Sequence, residues 1–251
     1  NDFFVIGATA RDIILQVLAD TSARRKTRDL DIAIAVPDWN KYNEICKALI
    51  DDGFEKSTHQ AQRFYYGAYE VDIVPYGAVA KADDNIYWPP EETIAMSVKG
   101  FDEVLREAIT VCVDNEFEIR IASLHGLFLL KLNAWLDRNI GTNKDAEDMW
   151  YIVDNYYFAN EGRGVHPEVY ELEHFDLTVG GAYWMAHDIA DILDNEQLIY
   201  YRDILAKEAS LEEESRLVIQ ILETHRTLAS DDVVRVLNTI ADVFNKRISD
   251  D

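Results

Sequence analysis

The side chains with the most chemistry in this chain are two aspartates in the stretch Arg28-Asp29-Leu30-Asp31-Ile32-Ala33-Ile34. Alternating acids and aliphatic residues read as a β-strand, where every second side chain shares a face. Asp29 and Asp31 then point one way, and Leu30, Ile32 and Ile34 point the other way into a core. Neighbouring carboxylates repel, so a fold that sets them side by side needs a compensating cation. Oxygen ligands at this spacing suit Mg2+, which is usually held by one or two carboxylates plus substrate phosphates. The competing reading is a solvated edge strand whose acids face water. Asp72, in Glu70-Val71-Asp72-Ile73-Val74-Pro75, repeats the pattern. An acid embedded in apolar strand is costly unless paired or bound to a cation, so Asp72 favours the metal.

The elements that would hold these acids can be read along the chain. Phe3-Phe4-Val5-Ile6 is a short apolar strand that stops at Gly7, and Ile13, Ile14, Val17 and Leu18 then follow at helical spacing. A strand, the small turn Gly7-Ala8-Thr9-Ala10 and a helix expose backbone N–H groups at a helix N-terminus, which favours phosphate. Alone, that turn is equally an ordinary tight connection. A basic segment with Arg24, Arg25 and Lys26 leads into the aspartate strand, which Pro37 ends. Asp38 caps a helix whose apolar face is Tyr42, Ile45, Cys46, Leu49 and Ile50, and Gly53 closes it. Residues 62–66 and 69–74 form a strand pair around Gly67. A helix over 101–108 and strands over 108–113 and 118–122 follow.

From Ser123 the period is helical, with Lys131, Trp135 and Arg138 along one face. After Gly141 a further helix carries Lys144-Asp145-Ala146-Glu147-Asp148, with Asp145 and Asp148 on one face. A loop over 161–174 precedes helical stretches at 178–194, 198–222 and 231–246, and Glu212-Glu213-Glu214 reads as a solvated helix face. The fold class is α+β: a mixed sheet with flanking helices over residues 1–122, then a helical domain over 123–251, with 123–157 contributing to the active site.

The chain has 251 residues, 48% of them hydrophobic and 11% aromatic, which marks a folded globular protein. Lys and Arg total 24 against 47 Asp and Glu, for a net charge of −23. This weakens any reading that needs a broadly basic surface to hold nucleic acid. Cys46 and Cys112 are too few and too far apart for a disulfide framework or a zinc site, which points to a reducing cytoplasm. No apolar run is long enough to span a membrane, and no signal-peptide pattern precedes Phe3. The chain opens at Asn1, almost inside a strand and without Met, so native residues are expected ahead of it.

Gly7…Arg11-Asp12, then Arg28 with Asp29, Leu30 and Asp31, then Asp72 on a later strand, resembles the DNA polymerase beta-like nucleotidyltransferase superfamily. Lys131…Arg138…Lys144-Asp145-x-x-Asp148 sharpens this to the AbiEii/AbiGii toxin-type nucleotidyltransferases, and the resemblance covers about residues 3–157. It implies transfer of a nucleoside monophosphate from an NTP such as ATP to an acceptor hydroxyl, in a toxin–antitoxin or phage-defence setting. Asp29 and Asp31 would bind two Mg2+ ions, or Mn2+ in their place. Asp72 would complete the catalytic ion and accept the proton of the attacking hydroxyl, and Lys131 would stand over the triphosphate. Gly7, Ala8 and Thr9 would hold the β- and γ-phosphates. Ala8 stands where the family usually has Gly or Ser, so any phosphate-contacting hydroxyl falls to Thr9.

Other candidates carry lighter roles. By the same resemblance Arg11, Lys144, Asp145 and Asp148 are counted with the nucleotide-binding residues; Asp145 and Asp148 could orient Lys131 or Arg138, or belong to an interhelical salt-bridge network. Arg28 and Arg63 could contact phosphate or neutralise the acids, and Arg11 with Asp12 would brace the turn. His59 and His125 read as surface or packing residues, and Trp88, Trp135 and Trp150 as core. The expected partners are an NTP, an RNA or tRNA end or a protein as acceptor, and a cognate antitoxin, with no membrane. The alternatives are a small-molecule (aminoglycoside-type) or protein-tyrosine acceptor, or a nucleotide-binding antitoxin-like scaffold without turnover.

Overall fold

The structure, a computed structural model, describes residues 2–21, 29–93 and 95–250. Arg28 and the Arg24-Arg25-Lys26 run lie outside the described residues. The chain divides into two compact units. One holds Asn1–Gln16 and Thr21–Asn133, the other Val17–Asp20 and Ala134–Asp251.

In the first unit β1 (Phe3–Ile6) runs directly into α1 (Gly7–Ala19), and β2 (Asp29–Ala35) carries the aspartates. The helix α2 (Trp39–Asp51) crosses over to β3 (Glu55–Lys56), β4 (Arg63–Tyr66) and β5 (Tyr69–Tyr76). A separate ribbon of β6 (Asn85–Tyr87) and β7 (Ala95–Ser97) precedes α3 (Phe101–Arg106), β8 (Ile109–Val113) and β9 (Phe117–Ile121). Seven of these strands form one mixed sheet in the order β3-β4-β5-β2-β1-β9-β8. The fold is α+β, as its sequence pattern indicates.

Two pairings place the acids. The parallel pair β2–β5 needs a crossover connection, and α2 supplies its helical part. Asp38 caps α2 by accepting from the Lys41 amide at 2.9 Å. The buried face of α2 carries Tyr42, whose hydroxyl donates to the Ile73 carbonyl at 3.0 Å and so ties the helix to β5. The turn at Gly67 joins β4 and β5 as an antiparallel hairpin, which sets Arg63 opposite Asp72. Along β2 the fully buried position is Ala33, on the aspartate face, while Leu30, Ile32 and Ile34 are only half-buried. The expected one-sided strand is therefore covered on both sides.

The helix α4 (Leu124–Arg138) starts after Ser123, whose hydroxyl accepts from the Gly126 amide at 3.2 Å. The second unit contains α5 (Lys144–Ala159), α6 (Leu177–Ala190), α7 (Asn195–Ser210), α8 (Arg216–Thr224) and α9 (Ser230–Asp250). Gly181 lets α6 press onto α5: a Cβ there would lie 2.9 Å from the Tyr157 amide nitrogen and from the Val153 carbonyl oxygen. Tyr157 stacks on Trp184 alongside, with ring centroids 4.8 Å apart.

The single helix expected over 198–222 is two, α7 and α8, separated by a 3-10 turn at Glu212–Glu214. The cause is electrostatic and local. Three glutamates would sit badly at the negative end of α7, whereas the break places them ahead of the positive end of α8. Ser215 caps α8 through its hydroxyl, which accepts from Val218 and donates to the buried Glu208 at 2.7 Å.

Trp88, Trp135 and Trp150 are buried, as expected of core residues. His59 is exposed, and His125 bonds with the Ser123 hydroxyl at 3.0 Å. Cys46 is a buried and Cys112 an exposed free thiol. Among the described residues no helix is long and apolar enough to cross a membrane.

Candidate active site

The parallel register of β2 and β5 sets Asp29 opposite Glu70 and Asp31 opposite Asp72. Side chains on adjacent parallel strands at paired positions share a face, so these carboxylates line one patch of the sheet. Glu70 is the member that the sequence reading passed over. Its signal is the same two-residue alternation as Asp29/Asp31, but only the pairing of two distant strands brings it into the patch.

Arg63 answers part of this charge. Its Nε and Nη2 reach the two oxygens of Asp72 at 2.7 and 2.9 Å, and its Nη1 reaches Glu70 at 2.5 Å. The hydrogen bonds to Asp72 are the main reason its guanidinium is held charged above its usual range. Such a fork fixes the Asp72 carboxylate in direction as well as charge.

Asp31 is the strained member. Burial pushes its carboxyl up to about 6; Lys131 pulls it down, Asp72 and Asp29 push it further up, and Arg63 opposes them. Lys131, on α4 within the same unit, is thus close enough to act on the acid patch.

Gly7 closes the other side. Ile6 pairs with Asp31, so the first residue of α1 lands against the aspartate. Gly7 has φ +70°, and a Cβ there would lie 2.0 Å from Asp31 Oδ2. Glycine is required here both for the backbone conformation and for the close approach. Thr9, two residues on, donates its hydroxyl to the Asp29 carbonyl at 3.0 Å. The proton expected to reach a phosphate is committed to the strand instead. Ala8 is buried, and Arg11 is buried with its guanidinium on Asp12 at 2.6 and 2.8 Å, which fits a bracing pair for the turn.

The structure therefore brings together Gly7, Thr9, Asp29, Asp31, Arg63, Asp72 and Lys131. Lys144, Asp145 and Asp148 belong to the second unit. There Lys144 is exposed, Asp145 and Asp148 are buried, and Arg138 forks Asp145 at 2.6 and 2.8 Å. That geometry supports the salt-bridge reading for Asp145.

The acid patch offers hard carboxylate oxygens only, the donor set that suits Mg2+ or Mn2+. The space that a Cβ at Gly7 would take is filled by the Asp31 carboxylate, so the start of α1 lies directly against the acid patch. Asp72 gives both of its oxygens to Arg63, while Asp31 lies across from it on the neighbouring strand. The donors fit such an ion in type and in the sheet face that they share.

The chain matches the family model described as nucleotidyl transferase AbiEii toxin, type IV toxin–antitoxin system, over residues 1–220. The match extends past the region of sequence resemblance, through α5, α6 and α7 and into α8. No curated protein matches the chain. The chain belongs to the AbiEii nucleotidyl transferase toxin family.

Proposed function

We propose that this AbiEii-family chain transfers a nucleoside monophosphate from a nucleoside triphosphate to an acceptor hydroxyl. The carrying observation is the pairing of Asp31 with Asp72 across β2 and β5, with Gly7 pressed against the Asp31 carboxylate. The acceptor oxygen attacks the α-phosphorus, a new P–O bond forms, the bond to the bridging oxygen breaks, and pyrophosphate leaves. Asp29, Asp31 and Asp72 would hold two Mg2+ or Mn2+ ions, which neutralise charge on the attacking and leaving oxygens when bound.

The chain's own groups supply the rest. Asp72 accepts the proton of the attacking hydroxyl, and a carboxylate keeps lone pairs for this outside an arginine fork. Arg63 aims it. Lys131 places a positive point charge at the triphosphate. The first-turn amides of α1, which lack intrahelical acceptors, take the phosphate contact that the Thr9 proton cannot make. Asp145 keeps Arg138 in place. The acceptor is an RNA or tRNA end or a protein hydroxyl, and a cognate antitoxin is the natural partner of a type IV toxin. A net charge of −23 favours an acceptor recognised locally over one held by a broad basic surface.

The test is incubation with each α-labelled NTP, Mg2+, and RNA or protein fractions. Label on an acceptor with release of pyrophosphate, both lost in Asp31→Asn, supports the assignment. No pyrophosphate from any NTP, or equal transfer by Asp31→Asn, overturns it.

A further inference from the structure

The helical unit holds a second cluster of ligand-type side chains, in which the proposed transfer reaction has no part. His166 and Glu168 flank Pro167, which opens a 3-10 turn, and His187 lies in the last turn of α6. Each offers one ligand atom, and these atoms all lie within 4.8 Å of one another. The rings of His166 and His187 stack with centroids 3.8 Å apart and planes 17° apart. His166 Nδ1 is 3.3 Å from Glu168 Oε1. Tyr183, one turn before His187 on α6, donates its hydroxyl to the same Glu168 oxygen at 3.0 Å.

The telling atom is His187 Nε2. It is buried and makes no hydrogen bond within the described residues. Buried polar atoms are nearly always satisfied, so an orphan of this kind calls for an explanation such as an ion. Ring stacking accounts for the contact between the histidines but leaves that nitrogen unused.

We propose that His166, Glu168 and His187 bind a divalent transition metal of the zinc class, with one coordination position left open. Two imidazole nitrogens and one carboxylate oxygen are a zinc-type set, whereas Mg2+ prefers oxygen throughout. With ligand bonds of about 2.1 Å, tetrahedral ligands sit roughly 3.4 Å apart, close to the spacing already held by His166 and Glu168. Parallel rings send their lone pairs side by side, so one ring turns to converge on the ion. His166, half-exposed on its turn, is free to do so, while the α6 backbone fixes His187. Tyr183 orients the carboxylate in the way outer-shell donors orient metal ligands. Bound metal pins the 3-10 turn onto α6.

The experiment is zinc titration of the full chain, stripped of metal and kept in excess Mg2+ so that the carboxylate patch is saturated. Competition against a chromophoric zinc indicator gives affinity and stoichiometry. One equivalent is expected, with binding weakened more than about tenfold in His166→Ala and about tenfold in Tyr183→Phe, and unchanged in His174→Ala. Zinc raises the melting temperature of the wild type and not of His166→Ala, whose melting temperature in EDTA equals that of the wild type. His166 is exposed enough that its loss leaves the fold intact, so His166→Ala decides the matter even where His187→Ala misfolds. No zinc bound by the wild type, or equal binding and equal thermal shift in His166→Ala, overturns the proposal.

Discussion

Two arginine–aspartate forks in this molecule have nearly the same geometry and different surroundings. Arg63 holds Asp72 at 2.7 and 2.9 Å in the sheet unit, and Arg138 holds Asp145 at 2.6 and 2.8 Å in the helical unit. Among the described residues the acids around Asp72 outnumber the cations: Glu70 shares Arg63, Asp31 lies opposite, and burial together with Asp72 and Asp29 drives Asp31 up to about 6. Asp145 instead sits at the start of a helix, where the dipole favours its charge. A fork by itself therefore says little about function. The negative charge gathered beside Asp72 among the described residues is what supports placing a cation and phosphates there.

If this contrast is right, neutralising an acid in each region has opposite effects. Asp31→Asn lowers nucleotidyl transfer by roughly a thousandfold or more, measured as pyrophosphate release, without lowering the melting temperature. Gly7→Ala comes next. Its Cβ meets Asp31 Oδ2 and its backbone is strained at φ +70°, so about a hundredfold of activity goes through misplacement of the aspartate. Asp145→Asn strips Arg138 of a charged partner and destabilises the protein by about 1–3 kcal/mol, read from chemical denaturation. Should Asp145→Asn abolish transfer at unchanged stability, the contrast fails.

Acidity offers a subtler separation. A carboxyl raised to about 6 in the folded state holds a proton that the unfolded chain releases near 3.8. Its stabilising share is full below that lower value and is lost as pH rises through about 6. In EDTA, the melting temperature of Asp31→Asn relative to wild type is expected to climb between these values and level off above, and Mg2+ narrows the gap. The smallest effect is that of Thr9→Val. It removes one hydrogen bond to the Asp29 carbonyl, costing about 1 kcal/mol and a few-fold in transfer.

Much of this arrangement could be read in the chain because it rests on short-range patterns. Strand, Gly7 and helix follow directly in sequence, Asp29/Asp31 and Asp72 show themselves by alternation, and the turn at Gly67 fixes Arg63 against Asp72. Glu70 escaped because its place depends on the parallel register of two strands separated by α2. The break between α7 and α8 escaped because the apolar period runs through it, while Ser215 and the glutamates decide locally. His166, Glu168 and His187 gave no signal, since a turn and a helix meet only through packing. Thr9 was legible as a turn residue, but the partner of its hydroxyl was not.

The most direct measurement is anomalous diffraction from crystals grown with Mn2+ and a non-hydrolysable NTP. Manganese peaks are expected within bonding distance of Asp29, Asp31 and Asp72 oxygens, with the triphosphate against Gly7 and Lys131. Nucleotide bound away from β2 and β5, with no manganese at these aspartates, would contradict the assignment.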